Sequence, residues 1–111
     1  MTPRPRPSES FRDFVLDQLA QLGPVHARAM FGGHGLYLRE TFFGIVFKGR
    51  LFLATDVESR REYVRAGMGP FRPNPRQTLA RYYEVPAEVL EDPDQLAIWA
   101  ARAVAIGPGR G

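Results

Sequence analysis

Two short runs of alternating apolar residues, separated by Lys48-Gly49, constrain the fold more than any other feature of the chain. In the first run, one face would carry Phe43, Ile45 and Phe47, and the other Phe42, Gly44 and Val46. The second run places Leu51 and Leu53 on one side and Phe52 and Ala54 on the other. A period of two residues is typical of β-strands, and a two-residue loop of this kind joins antiparallel neighbours. The pattern predicts an antiparallel sheet that is apolar on both faces.

A glycine-rich block, Met30-Phe31-Gly32-Gly33-His34-Gly35, precedes these strands. Closely spaced glycines indicate backbone torsions or close approaches that a side chain would forbid. A phosphate-binding glycine loop leads into a helix, whereas the strand-forming residues Leu36-Tyr37-Leu38 follow here. We therefore interpret the block as a kinked or bulged connection between strands.

Helical patterns lie at both ends of the chain and once between the strands. Apolar residues at helical spacing predict a first helix from Phe11, with Ser8 or Ser10 as its N-cap. Asp56 is predicted to cap a second helix, and Asp92-Pro93 to begin the last one. Between them, residues 79–85 predict a second strand region, and residues 87–90 a turn. The predicted fold class is α+β: two layers with an antiparallel sheet, ordered helix, three or four strands, helix, two strands, helix.

The length of 111 residues predicts one domain, framed by a disordered Pro/Arg arm at residues 1–10 and a flexible tail at residues 107–111. The chain has no cysteine and only two histidines, so we expect no disulfide, metal or cofactor. Residues 1–12 lack the apolar core of a signal peptide, and no apolar run reaches the ~20 residues of a membrane span. The expected location is cytoplasmic, with no membrane contact.

Basic residues gather in the middle of the chain, whose net charge is +3. The candidate contacts with a protein partner or nucleic acid are Arg60, Arg61, Arg65, Phe71, Arg72, Arg76 and Arg81. Phe71, in a proline-rich loop, could stack on a base, dock into a partner, or fill the edge of the core. The arginines could equally form a solvated face, since Glu58 and Glu62 lie three residues before Arg61 and Arg65.

Several separated motifs also occur along the chain in the same order as in a known protein family. They are Met30-Phe31-Gly32-Gly33, Gly35, Phe43-Gly44, Leu51-Phe52-Leu53, Asp56, Gly67, Pro70-Phe71, Tyr82-Tyr83-Glu84-Val85-Pro86, Leu90 and Trp99. With these residues the chain resembles the N-terminal domain of the TfoX/Sxy competence regulators over residues 11–106. The resemblance implies a two-layer fold like that of secretion chaperones, in which the matching positions are structural.

The resemblance also implies a function. Proteins of this family are linked to positive regulation of DNA-uptake genes in bacteria by assisting another transcription factor, and the domain has no associated enzymatic activity. Longer members carry a C-terminal domain similar to helix-hairpin-helix DNA-binding modules, and we expect this chain to be a single-domain member without it. The main hypothesis is a non-enzymatic regulatory module that binds a protein, either a transcription factor or a second copy of itself.

Two other functions stay open from the residues themselves: weak direct nucleic-acid binding through the arginine-rich surface, and an unrecognised enzyme. The enzyme hypothesis is the weakest because Thr55 and Ser59 lack an activating glycine context and neither histidine has triad-like spacing. Finally, Phe42, Val46 and Phe52 are assigned to one sheet face, and the apolar area of that face is larger than the predicted helices can cover. We expect either a homodimer through that face, or a final helix that crosses it.

Overall fold

The computed structural model describes residues 7–30 and 32–107. Its helices are α1 (Pro7–Gln18), a 3₁₀ turn (Ala20–Leu22), α2 (Val57–Arg65), α3 (Ala87–Leu90) and α4 (Pro93–Ile106). Its strands are β1 (Val25–Met30), β2 (Gly33–Leu38), β3 (Thr41–Phe47), β4 (Arg50–Ala54), β5 (Pro70–Asn74) and β6 (Gln77–Glu84). The strands form one antiparallel sheet in the order β1-β2-β3-β4-β6-β5. The predicted α+β class is confirmed.

The helices lie together on one face of the sheet. Trp99 of α4 contacts Tyr63 of α2, and Tyr63 contacts Tyr83, which pairs with Leu53 on the neighbouring strand. Paired residues of antiparallel strands point to the same side, so α2 and α4 both cover the side of Leu53. Helix α1 and the 3₁₀ turn pack on α4. The buried residues of this layer include Val15, Leu19, Leu36, Leu51, Leu53, Leu96, Ala100 and Ala103.

The predicted grouping of Phe42, Val46 and Phe52 on one face is wrong, because Val46 lies on the opposite side of the sheet from the other two. Leu36 pairs with Gly44 but Tyr37 pairs with Phe42, so Phe43 is an extra residue in β3. An extra residue breaks the strict alternation of sides. Phe42 therefore joins the open face, meaning the face away from the helices. The register of β4 separates the other two: Phe52 pairs with Ile45, and Val46 pairs with Leu51 on the helix side.

The open face is covered largely by its own aromatic residues. Strand β5 departs from regular pairing between Pro70 and Phe71, whose partners on β6 are Tyr83 and Leu79. The ring centroid of Phe71 lies 4.8 Å from that of Phe52, which is only 6% exposed. The alternative in which α4 crosses this face is wrong, and the partly exposed residues there include the aromatic residues Tyr37, Phe42 and Phe47. The homodimer stays a prediction, but Phe52 and Val46 do not offer free surface for it.

Several local expectations can be compared directly. The Lys48-Gly49 hairpin is confirmed, since Phe47 pairs with Arg50. The caps at Ser8 and Ser10 are wrong because α1 begins at Pro7, upstream of both. Residues 87–90 form the short helix α3 instead of a turn. Residues 1–6 of the predicted arm, residues 108–111 of the predicted tail, and Phe31 lie outside the described residues. In residues 7–30 and 32–107, no helix combines the length and apolarity required to cross a bilayer.

Candidate interaction surface

Helix α2 is fixed to the rest of the domain along one side. Tyr63 is 3% exposed, and its ring centroid lies 4.7 Å from that of Trp99. Beside it, Arg102 of α4 donates two hydrogen bonds to the Glu62 carboxylate, at 3.0 and 3.1 Å. These bonds lower the pKa of Glu62 and raise that of Arg102, and burial raises the pKa of Tyr63. One side of α2 is thus anchored, and the opposite side is left to solvent.

The start of α2 is set by Asp56, as predicted. The Asp56 carboxylate accepts a hydrogen bond from the Ser59 amide at 2.8 Å, and the Ser59 hydroxyl accepts one from the Asp56 amide at 3.0 Å. This reciprocal capping box satisfies amides that would otherwise lack partners at the helix start. The bonds from Ser59 lower the pKa of Asp56 below its ordinary value of 3.8.

Changes at Asp56 should separate the loss of the cap from the loss of its charge. The pKa of Asp56 is lower in the folded state than in the unfolded chain. The ionised carboxylate therefore stabilises the fold at pH values above 3.8, and this stabilisation is lost as the pH falls further. Asp56→Asn keeps an acceptor oxygen, so its thermal midpoint should match the wild type near neutral pH but fall less on acidification. Asp56→Ala should lower the midpoint at every pH. Equal acid sensitivity of the wild type and Asp56→Asn in thermal melts would contradict this assignment.

The solvent side of α2 carries an amphipathic, basic surface. We call it the α2 stripe and define it as Val57, Arg61, Val64 and Arg65. Val57 is 72% exposed and Val64 is 57% exposed, although both are aliphatic. The four residues share a shallow depression to which Arg60 also contributes. Exposed aliphatic side chains beside guanidinium groups can contact a partner surface that is apolar at its centre and acidic at its margin. The acidic groups would then pair with the arginines, so that no unpaired charge is buried.

Two of the predicted contact arginines make hydrogen bonds within the domain. Arg60 donates a hydrogen bond to the Thr55 hydroxyl at 3.0 Å and lies 5.5 Å above the ring centroid of Tyr83. Arg81 donates to the Gly107 carbonyl at 3.5 Å, and its own carbonyl accepts from the Thr55 hydroxyl at 2.7 Å. These arginines link α2, β6 and the end of α4. Arg61 and Arg65 are the exposed members of the group on α2.

The remaining candidates lie on β5 and the turn that follows it. Phe71 is fully buried, with its ring centroid 5.2 Å from that of Phe47, so the hypothesis that it stacks on a base or enters a partner is wrong. Arg72 and Arg76 are exposed. Arg72 lines a different cleft, with Lys48 and Arg50, and is not part of the α2 stripe. The structure therefore divides the predicted arginine surface into separate groups.

Most motif residues lie in positions where they shape the fold. Gly33, Gly35, Phe43, Gly44, Tyr82 and Pro86 are buried, and Met30, Tyr83 and Glu84 are partly buried. Gly32 and Gly67 each have a φ of +80° in a connection, and Asp56 is the cap described above. Among the described residues, no three His, Asp or Glu side chains are grouped so that they could hold a metal ion.

Sequence reasoning missed the apolar half of the α2 stripe and the basic residues near Arg72. Val57 and Val64 are seven residues apart on a largely polar helix, and this spacing indicates a shared face. Lys48 and Arg50 flank a hairpin, but their proximity to Arg72 depends on the course of β5, which no local pattern reveals.

Comparison with known proteins identifies the family of the chain. The family model of the TfoX N-terminal domain matches residues 17–106. The chain belongs to the TfoX N-terminal domain family, and the resemblance on which the sequence prediction depended is confirmed. A comparison with curated protein sequences gives no match.

Proposed function

We propose that this chain is a non-enzymatic regulatory module that acts by protein–protein contact in competence-type transcriptional regulation. The observation that carries the proposal is its membership of the TfoX N-terminal domain family, which suggests a competence-related regulatory role and is not a known enzyme family. The partner is a transcription factor or a second copy of the chain.

The α2 stripe supports contact with a protein and indicates the chemistry of that partner. Val57 and Val64 would lose water on contact, and burial of aliphatic surface stabilises a complex by roughly 25 cal/mol per Å² before the costs of association. Arg61 and Arg65 at the margin favour acidic residues on the partner. We therefore expect an acidic surface or helix with apolar residues at its centre.

Replacing both valines should abolish the interaction and leave the domain folded. The test compares the wild type, the double variant Val57→Ser/Val64→Ser, and the control Ile98→Ser, which alters a side chain that is also exposed (59%) but lies on α4. Each tagged protein is cross-linked in its native host, purified and analysed by mass spectrometry, and light scattering detects a second copy. A transcription factor retained by the wild type and the control but lost by the double variant is expected. Equal retention by all three would contradict the proposal.

Weak nucleic-acid binding is a second candidate because Arg61 and Arg65 are exposed on adjacent turns of one helix. Contacts with phosphates alone release counterions, so such binding should be independent of sequence and decline steeply with salt. Fluorescence anisotropy with labelled duplexes at two salt concentrations measures this directly. Sub-micromolar binding to one promoter sequence that persists at about 200 mM salt would favour a specific DNA-binding protein over the proposed module.

A further inference from the structure

A second surface, away from α2, has the features of a small-molecule site. A cleft of about 650 Å³ lies between the β3–β4 hairpin and β5, and we call it the β4–β5 cleft. It is lined by Phe47, Lys48, Arg50, Phe52, Arg72 and Glu84, together with prolines of the β5 segment. Its volume lies within the usual range for ligand sites, roughly 300–1,000 Å³. Because the prolines restrict the backbone, this wall of the cleft is preorganised.

The three cations of the cleft come from separate parts of the chain. Lys48 belongs to the β3–β4 turn, Arg50 begins β4 and Arg72 belongs to β5. Arg50 is 64% exposed and makes one 3.4 Å contact with Glu84, a long and solvent-screened pair. In the described part of the chain, no carboxylate forms an ion pair with Lys48 or Arg72. Three positive charges face one negative charge, so the cleft attracts an anion.

The hairpin turn sets the conformation of Lys48, as the preceding turn does for Arg39, whose φ is +56°. The φ of Lys48 is +50°, in a two-residue hairpin turn where asparagine or glycine is preferred. Its ammonium nitrogen lies 5.3 Å from the ring centroid of Phe47, which holds the charge beside the apolar wall. The hairpin turn therefore holds the Lys48 ammonium beside the aromatic ring, at the cleft that Arg50 and Arg72 also line.

We propose that the β4–β5 cleft binds a free nucleoside diphosphate or triphosphate. The guanidinium groups of Arg50 and Arg72 offer forked donors to phosphate oxygens, and Lys48 adds a compact charge. The partly exposed ring of Phe47, with the prolines, provides an apolar surface for the planar base. This site is independent of the α2 stripe and goes beyond the proposed protein contact, so either can fail without the other.

Isothermal titration calorimetry at low salt can test the site with ADP, pyrophosphate and adenosine as probes. The informative variants are Arg72→Gln and Lys48→Asn, because asparagine tolerates the positive φ and should preserve the hairpin. Arg61→Gln on α2 is the matched control, which removes one exposed charge from the other basic surface. Thermal melts establish that each variant is folded.

The expected result is that ADP binds more tightly than pyrophosphate or adenosine. Each cleft variant should weaken ADP binding by about tenfold, the value of one charge-assisted hydrogen bond, and the control should not. The proposal is wrong if ADP fails to bind at millimolar concentration, or if all three variants bind it equally. It is also wrong if pyrophosphate binds as well as ADP, which would remove the role of the base. A single-stranded oligonucleotide is titrated as a fourth probe, and if it binds more tightly than ADP, the cleft binds a nucleic-acid strand and the proposal is wrong.

Discussion

Gly33→Val is expected to unfold the domain, or to lower its free energy of unfolding by about 3 kcal/mol or more. A Cβ atom at Gly33 would collide with the carbonyl oxygen of Val46 on the adjacent strand. It would also lie 3.1 Å from Cδ2 and 3.2 Å from Cα of Phe47. Since two of these obstacles are backbone atoms, no change of rotamer relieves the collision. The β2–β3 pairing would have to separate.

The control for this prediction is Gly69→Ala. A Cβ atom at Gly69 meets nothing within 4 Å, so the substitution should leave stability close to that of the wild type. Chemical denaturation followed by circular dichroism compares the three proteins. If Gly33→Val melts like the wild type but loses its partner, the glycine block is a binding site and our structural interpretation of it is wrong.

Phe71→Ala is expected to lower the free energy of unfolding by about 3–5 kcal/mol, the range for a buried phenylalanine. Phe71 has no exposed surface, and its ring lies 5.2 Å from that of Phe47 and 4.8 Å from that of Phe52. Its removal leaves a cavity beneath β5 and exposes the centre of the open face.

Phe71→Leu separates packing from a specific aromatic contact. Leucine restores part of the buried volume, so this variant should have a stability between those of Phe71→Ala and the wild type. Denaturant unfolding measures all three. A Phe71→Ala protein with unchanged stability would place the side chain outside the core and revive its assignment as an exposed contact.

Local sequence patterns were sufficient for the fold class. Asp56 caps α2 and Lys48-Gly49 forms a hairpin because each depends on chemistry within a few residues. The bulge at Phe43 could not be predicted, because it depends on the pairing of β3 with a strand that precedes it. That one residue moved Phe42 to the open face. The separation of Val46 from Phe52 has another cause, the register of β4 set by the two-residue hairpin. The family resemblance identified the domain family, but it carried no information on side-chain contacts.

The candidate site was predicted less completely. The arginines on α2 were identified from composition, yet only the three-dimensional arrangement shows that Arg60 is bonded to Thr55 while Arg61 faces solvent. Phe71 was named as a candidate contact because arginines flank it in a proline-rich loop, but its ring is buried against those of Phe47 and Phe52. Exposure depends on contacts between distant segments, so residue type alone did not reveal it.

The most direct test of the proposed function is RNA sequencing of the native host. A deletion strain is complemented with the wild type, with Val57→Ser/Val64→Ser, or with the folded control Ile98→Ser. We predict that deletion lowers transcripts of DNA-uptake genes, and that the wild type and the control restore them while the α2 variant does not. Full restoration by the α2 variant, or a deletion that leaves these transcripts unchanged, would contradict the assignment of this domain as a regulator acting through α2.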